Sequence, residues 1–498
     1  MTLHDLRVLP ADMELFARAT GDVNPLHVSA EYARRTPFGE PVVYGVLAAL
    51  AACGHLRERP GSAVESIALE FLGPLAVGTS YRVEIEDEES TARVHVSDLD
   101  QPALEATIAF AEGPPRPALP EGRAEARAAP AELELESLDE GRTASGLWAP
   151  SLADTRELLG RWSLPARGLD ELAVTALGWV SYLVGMELPG ERATFWKVEL
   201  RLAPAPEMRS LPLTYFAEVV RRDDRVGLVE IAATLGDGLA TATISAFVRE
   251  ESSTADTGTL AALVADTPDL TDKVALVVGG SRGLGAAIGQ ALALRGAHVV
   301  LVYRDSAAEA GRVRDSLVDA SGTIEPIQGD AGNAEWCRAT LRALLELRGG
   351  LDLLVCNAAP PIRPLRFDAG TFDRFVGFVH ESVGLVAAPL AALLTDLDAR
   401  SGTALVVSSS ALTTLPPEWP HYVTAKAAVE GLASWAAAAH PRVRLVVVRP
   451  PKLLTDQMNS LLGRVGATRV EPVAAEIVRH LGRPRAKAPI PELVELEP

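Results

Sequence analysis

The stretch GDVNPLH, residues 21–27, places a carboxylate, an amide and an imidazole close together on Asp22, Asn24 and His27. Gly, Asp, Asn and Pro are the usual residues of a turn, so one reading is a polar turn and nothing more. The other is a general acid–base pair. Asp22 and His27 are five residues apart with Pro25 stiffening the bend, so both can reach one substrate from the same side. A second constellation lies far along the chain, in PHYVTAKAAVEGL. There Tyr422 and Lys426 are i, i+4 and share a face of a helix. An ammonium beside a phenol favours phenolate and lowers the phenol pKa, which makes it a usable proton donor to a ketone under reduction. Ser409, 13 residues before Tyr422 at the end of VVSSS, can hydrogen-bond the same carbonyl oxygen.

The elements that must hold these groups follow from periodicity. With 498 residues the chain is too long for one core and predicts two to four domains. Two linker-like stretches, 113–132 and 250–270, divide it into 1–112, 133–249 and 271–498. The first two segments echo each other: Glu70 lies ten residues after Pro60, and Glu199 ten after Pro189. An apolar helix precedes each Pro-Gly and period-2 strands follow it, an α+β pattern of a sheet wrapped around one helix. The third segment alternates continuous apolar strands with helices, starting at KVALVVGG, which predicts a doubly wound α/β domain with a parallel sheet.

The first strand of that domain ends in GGSRGLG. Gly279, Gly283 and Gly285 enclose Ser281, Arg282 and Leu284 and lead into a helix. Glycine allows the tight turn and close backbone approach, and the helix N-terminus offers free amides to a pyrophosphate. A unit that prefers NAD carries an acid at the end of its second strand. Here that strand ends in Tyr303 and Arg304. Arg282 and Arg304 with no acid suit a 2′-phosphate, so the cofactor predicted is NADPH; two solvated surface arginines are the alternative.

Residues 271 to about 460 resemble a short-chain dehydrogenase/reductase of the 3-ketoacyl reductase kind, a Rossmann-type domain. The resemblance implies Ser409, Tyr422 and Lys426 as catalytic residues. It adds Asp330 in QGDAGN near the adenine, Asn357 and Ala358 in CNAA, and Thr455 near the nicotinamide carboxamide. The chain departs from the family at Val278, at Pro450-Pro451 and in its short tail. Glu381 stands where the family has the asparagine of its proton relay.

Residues 16–52 resemble the signature of MaoC-like, (R)-specific enoyl-thioester hydratases, which have hot-dog folds. The match covers Gly21, Asp22, Asn24, Pro25, His27, FGEPVV and Gly45, with Tyr44 where many members have a histidine. It implies that Asp22 and His27 add or remove water across C2–C3 of an acyl thioester, with Asn24 orienting them. It puts Gly45 at the start of the central helix, its N–H facing the thioester oxygen. Segment 133–249 lacks the motif and resembles the inactive half of a double hot-dog, expected to complete the acyl tunnel and bury the first half's open sheet face.

The expected activity is a bifunctional, NADPH-dependent 3-ketoacyl-thioester reductase and (R)-3-hydroxyacyl dehydratase of fatty-acid or polyketide type biosynthesis. The substrate would ride on acyl carrier protein or coenzyme A. The alternatives are a hydratase with a dehydrogenase of fatty-acid breakdown, or a dehydratase with a degenerate reductase domain kept for structure or carrier docking. A net charge of −19 argues against nucleic acid. Three scattered cysteines argue against a thiolate zinc site and for a reducing compartment. The chain shows no run of about 18 uncharged apolar residues and no apolar signal core at its start. It therefore reads as cytoplasmic, with no metal and no membrane partner, and as a homo-oligomer, a dimer or larger.

Overall fold

Tyr81, Val83 and Ile85 alternate with Arg82, Glu84 and Glu86, and the segment folds as a strand with its apolar set inward. The same alternation runs through Met1–Glu251, one of two units in this computed structural model; the other is Ser252–Pro498. The structure describes residues 2–98, 101–113, 116–120, 122, 128–204, 211–250, 255–318, 320–458, 461–483, 485 and 491–496.

The first unit runs β1 (Thr2–Arg7), α1 (Pro10–Thr20), α2 (Pro25–Val28), α3 (Ala30–Ala33), α4 (Gly45–Cys53), β2 (Ser62–Phe71), β3 (Ser80–Asp87), β4 (Thr91–Asp98) and β5 (Gln101–Glu112). It continues with β6 (Thr143–Trp148), α5 (Leu152–Arg161), α6 (Glu171–Tyr182), β7 (Ala193–Leu202), β8 (Leu213–Asp223), β9 (Leu228–Leu235) and β10 (Ala240–Val248). One antiparallel sheet takes the order β1-β3-β4-β5-β2-β7-β10-β9-β8-β6. Each half repeats the other about the β2–β7 seam, where Ile67 faces Leu200 and Glu70 faces Lys197. These are the two strands that follow the echoed Pro-Gly pairs.

Helix α4 buries every residue from Val46 to Cys53, and α6 every residue from Leu172 to Tyr182. A helix apolar on all sides must be enclosed, and the two halves of the sheet enclose them in a single core. The second half does not cover the first half's sheet face, as the sequence suggests. The halves join edge to edge, because backbone pairing along β2–β7 satisfies amides and carbonyls that two separate sheets would leave open.

Both expected linkers carry more structure than their composition suggests. Residues 114–115, 121, 123–127 and 251–254 of them lie outside the described residues. Arg116 bonds Asp170 at 2.9 Å and the carbonyls of Val64 and Ala203, and Leu119 is buried. Thr257–Val264 forms a helix, α7, capped by Asp256. Only Leu260 and Val264 of it are buried, a single i, i+4 pair too brief to show as a period.

The second unit continues with β11 (Val274–Val278), α8 (Gly283–Leu294), β12 (His298–Tyr303), α9 (Ala307–Asp315), β13 (Thr323–Gln328), α10 (Ala334–Trp336), α11 (Arg342–Leu347) and β14 (Leu353–Cys356). Then come α12 (Phe372–Arg400), β15 (Thr403–Val407), α13 (Ala411–Thr414), α14 (Pro420–Ala439), β16 (Arg444–Arg449), α15 (Leu461–Arg464), α16 (Val470–Leu481) and β17 (Glu492–Glu495). The strands form a parallel sheet in the order β13-β12-β11-β14-β15-β16-β17. All of β11 is buried. Ala275 and Val277 enter one core, and Val274, Leu276 and Val278 the other. The strand order reverses between β11 and β14, which opens a ligand crevice at their carboxyl ends.

Helix α12 is long and apolar enough to cross a membrane by length and composition. Its Leu385, Leu390, Leu393 and Leu397 are instead buried in the core beneath the sheet, beside α14.

Candidate active sites

The turn at 21–27 is built from its ends. Gly21 closes α1 at φ 73°, where its N–H bonds the Ala17 carbonyl, a left-handed position suited to glycine. Asn24 caps α2 by accepting from the Leu26 N–H at 3.0 Å, and Pro25 fills the first helical position. Between these caps Asp22 is 1 % exposed. Its Oδ1 accepts from the Asn24 N–H at 3.1 Å, and its Oδ2 accepts from the Ser181 hydroxyl at 2.7 Å. The His27 Nδ1 lies 2.8 Å from the Val42 carbonyl. A carbonyl only accepts, so in the neutral ring Nδ1 carries the proton and Nε2 keeps its lone pair.

The second half of the sheet therefore supplies part of this site. The Asn24 side-chain amide donates to the Gly185 and Gly190 carbonyls at 2.8 and 3.2 Å, so it ties the turn to the second half rather than bridging Asp22 to His27. A Cβ on Gly185 would lie 2.6 Å from Asp22 Oδ1, so no side chain fits there. Tyr44 replaces the expected histidine with two contacts. Its ring stacks on His27 at 3.9 Å between centroids, and its hydroxyl donates to the Asp22 carbonyl at 2.7 Å. Gly45 begins α4, so its N–H has no intrahelical acceptor. Phe71 packs directly on it: a Cβ there would lie 2.5 Å from the ring.

Ser181 and Tyr44 are absent from the sequence-based site. Tyr44 was visible only as a departure from a pattern. Ser181 is the polar residue in ALGWVSYLVGM, on the helix that echoes α4, and that echo was the signal that could have found it.

Burial sets the charges here. It raises the Asp22 pKa to about 6, opposed by the bonds from Ser181 and Asn24. It lowers the His27 pKa to about 4, with the Val42 carbonyl opposing and the Arg249 charge adding to the shift. When the pair holds one proton, that proton sits on Asp22 and the imidazole is neutral. Removing the Ser181 hydroxyl takes away a bond that stabilises the carboxylate. Ser181→Ala is expected to move the Asp22 ionisation above pH 6, read as an alkaline shift of the corresponding limb in a pH–rate profile. An unshifted limb would mean that Ser181 only fills space.

In the second unit, Ser409 follows β15 and bonds the Tyr422 phenol, while its Oγ accepts from the Ala411 N–H at 3.1 Å. Pro420 starts α14, so Tyr422 and Lys426 fall on its first turns. Lys426 is 8 % exposed, donates to the Val407 carbonyl at 2.8 Å and lies 5.6 Å from the centre of the Tyr422 ring. Phe378 and Trp419 flank that ring edge-on. The expected lowering of the phenol pKa is not what the structure has. Burial raises it, and the Ser409 bond only partly opposes. Burial also brings Lys426 down to about 8, against the charge of Glu430.

The glycine loop is a cradle. Gly279 has φ 77°, and a Cβ on it would lie 2.6 Å from the Ala358 Cα. A Cβ on Gly285 would collide with the Gly279 carbonyl, which accepts from the Asn357 amide at 2.9 Å. Gly283 opens α8 at φ 56°, with Thr455 on its open side. Asp330 shapes the next loop by accepting from the Gly332 N–H at 2.9 Å. These residues come together at the carboxyl ends of β11, β13 and β14, and they suit a dinucleotide because only bare backbone fits at the turn. Leu284 is different: its side chain is buried in the core, so only its backbone can face a ligand. Ser281 and Tyr303 are partly buried at the ends of this loop and of β12.

The two arginines are not free. Arg282 lies 3.5 Å from Asp456. Arg304 lies 3.1 Å from both Asp305 and Glu381. Glu381 thus pairs with Arg304. Of the three acid partners, Asp456 and Glu381 come from distant parts of the chain and were not legible as such in the sequence. Among the described residues no group of three or more His, Cys, Asp or Glu is placed to hold a metal.

Comparison with known proteins agrees with this division. The family model described as short chain dehydrogenase matches residues 273–464, and that for the MaoC like domain matches 2–102. The probable galactose dehydrogenase GalD of Rhizobium meliloti is 32% identical over 199 residues, covering 39% of this chain and 77% of that protein. The short-chain dehydrogenase/reductase FrzI of Cladobotryum sp is 30% identical over 194 residues, 38% of this chain and 74% of its own. A 3-oxoacyl-[acyl-carrier-protein] reductase of Synechocystis is 29% identical over 196 residues, 39% of this chain and 78% of that protein.

Proposed function

Because this chain belongs to the short-chain dehydrogenase/reductase family through its C-terminal unit and carries a MaoC-like domain at its N-terminus, we propose that it is a bifunctional enzyme. It reduces a 3-ketoacyl thioester with NADPH and dehydrates the (R)-3-hydroxyacyl product to the trans-2-enoyl form. The substrate is carried on acyl carrier protein or coenzyme A, in biosynthesis of the fatty-acid or polyketide type. The observation that carries this reading is that one chain assembles both constellations, Ser409–Tyr422–Lys426 and Asp22–His27. The likeness to a 3-oxoacyl-[acyl-carrier-protein] reductase supports the thioester.

In the reductase, backbone at Gly279, Ser281, Gly283, Leu284 and Gly285 would hold the pyrophosphate. Asp330, Asn357 and Ala358 would line the adenosine and ribose, and Thr455 would meet the carboxamide. Arg282 and Arg304, beside Tyr303, would read the 2′-phosphate. When bound, the cofactor supplies hydride to C3 of the ketone. Ser409 and Tyr422 bond the ketone oxygen, and Tyr422 gives it the phenolic proton. The Lys426 ammonium stabilises the phenolate left behind.

In the dehydratase, His27 Nε2 takes the C2 proton and Asp22 gives its proton to the departing C3 hydroxyl. The protonated carboxyl and neutral imidazole needed for that step are the dominant singly protonated form of the pair. The Gly45 N–H, at the positive end of α4, faces the thioester oxygen as enolate charge develops. Asn24 and Tyr44 hold the turn and the imidazole in place.

Incubating the protein with NADPH and 3-ketoacyl thioesters of several chain lengths, on both carriers, is expected to consume NADPH and release enoyl product. No loss of NADPH and no enoyl product would overturn the reading. Enoyl product formed only from 3-hydroxyacyl thioester would instead favour a dehydratase with a silent reductase unit. The absence of the relay asparagine at Glu381 is the observation that speaks for that second reading.

A further inference from the structure

The ribose end of the dinucleotide crevice holds a charge arrangement that strand order alone does not show. Arg304 follows the last residue of β12, and its carbonyl accepts from Gln328 at the end of β13. Its guanidinium is about half exposed and reaches Glu381 on α12 at 3.1 Å and Asp305 at 3.1 Å. One turn along α12 from Glu381, Leu385 packs 3.8 Å from where a Cβ on Gly332 would lie, beside Asp330. The Glu381–Leu385 strip of α12 therefore lies along the loop that follows β13, and the Arg304–Glu381 pair spans the rim between β12 and that strip.

One guanidinium between two carboxylates carries a local net charge of −1. A 2′-phosphate, with a charge near −2, meets that site very differently from a bare arginine. Any N–H that Arg304 turns to the phosphate is one its carboxylate partners compete for, so Glu381 weakens the pairing. A 2′-hydroxyl has no such conflict, since it can donate to a carboxylate. The chain lacks an acid at the end of β12, where NAD-preferring units carry one, but α12 brings one to the same guanidinium.

We propose that Glu381 is a specificity-determining residue: it competes with the 2′-phosphate for Arg304 and so limits how strongly the site prefers NADPH over NADH. This rests on the reading of the glycine loop as a dinucleotide site, and binding alone tests it, without turnover. Dissociation constants for NADPH and NADH are measured by fluorescence titration of the full-length protein, for the parent and for Glu381→Gln, Arg304→Ala and the double variant.

Glu381→Gln keeps the shape and removes the charge. It is expected to tighten NADPH at least about threefold while NADH binds no tighter, since partly exposed charge pairs are worth a factor of a few. Arg304→Ala is expected to weaken NADPH and to cancel the gain in the double variant. The Glu381→Gln gain is expected to shrink as salt rises from low to about 0.5 M, where screening lengths fall to a few ångströms. An unchanged NADPH/NADH ratio in Glu381→Gln, or a gain that survives Arg304→Ala, overturns the proposal and leaves the dinucleotide site standing. If the parent binds neither dinucleotide, the site reading itself fails, and this proposal with it.

Discussion

Asp22→Asn is expected to abolish dehydration of a 3-hydroxyacyl thioester and, at the same time, to raise the melting temperature at neutral pH. The loss of activity follows from the role: an amide N–H is too weak an acid to protonate the departing hydroxyl, and losing a positioned acid costs about 10²–10⁴ in rate. The gain in stability follows from burial. Asp22 is 1 % exposed and has no cation partner among the described ion pairs. Its pKa is raised from 3.8 to about 6, chiefly by desolvation. A carboxyl with a raised folded pKa favours folding below its unfolded value, and that contribution is lost as pH rises through the folded value. At pH 8 the full cost of ionising the buried group is present, of the order of 2–3 kcal/mol at most. The bond with Ser181 survives in the variant, because the hydroxyl can turn to accept from the new amide.

The stabilisation is therefore expected to be largest above pH 6 and to vanish near pH 4. Thermal melts of parent and variant at pH 4.5 and pH 8 check it. A melting temperature equal to or below the parent's at pH 8 would show that the carboxylate is offset by something stronger than its two hydrogen bonds. His27 acts with the opposite sign. Its lowered pKa supports folding above about 6.5, and that support is lost as pH falls towards 4.

Tyr422→Phe is expected to remove ketone reduction almost completely, by a factor of about 10²–10⁴, while dehydration of a supplied 3-hydroxyacyl thioester continues at the parent rate. The two losses fall on different units, so each variant serves as the control for the other. The proposed reduction is also expected to have an alkaline limit. Burial holds Lys426 at about 8 instead of the 10.5 of a free lysine. The ammonium that stabilises the phenolate is thus half lost at pH 8, and reduction is expected to fall above that pH. Product formation followed against pH, with NADPH saturating, reads the limb directly. A rate that holds level to pH 10 would place the limiting proton elsewhere.

The parts of this protein that were legible in the sequence share one property: they are short-range. GDVNPLH puts Asp22 and His27 on one bend because Asn24 and Pro25 cap and start the same short helix. Tyr422 and Lys426 meet because they are one helical turn apart. GGSRGLG reads as a cradle because glycine is needed wherever backbone approaches within the reach of a Cβ. The fold class followed in the same way, from period-2 strands in the first unit and continuous apolar strands in the second. The Pro-Gly echo reported a repeat that the β2–β7 seam makes physical.

What the sequence left open was decided by neighbours brought from elsewhere in the chain. Ser181 reaches Asp22 across 159 residues, and Glu381 reaches Arg304 across 77. The sign of the Tyr422 shift also came from outside its motif. The adjacent ammonium predicts a lower pKa, but loss of water around the phenol raises it, and the bond from Ser409 only partly opposes. Residue types and local spacing point to the chemistry a chain can carry. Ion pairing and desolvation sum over every atom packed nearby, and only the tertiary structure determines which atoms those are.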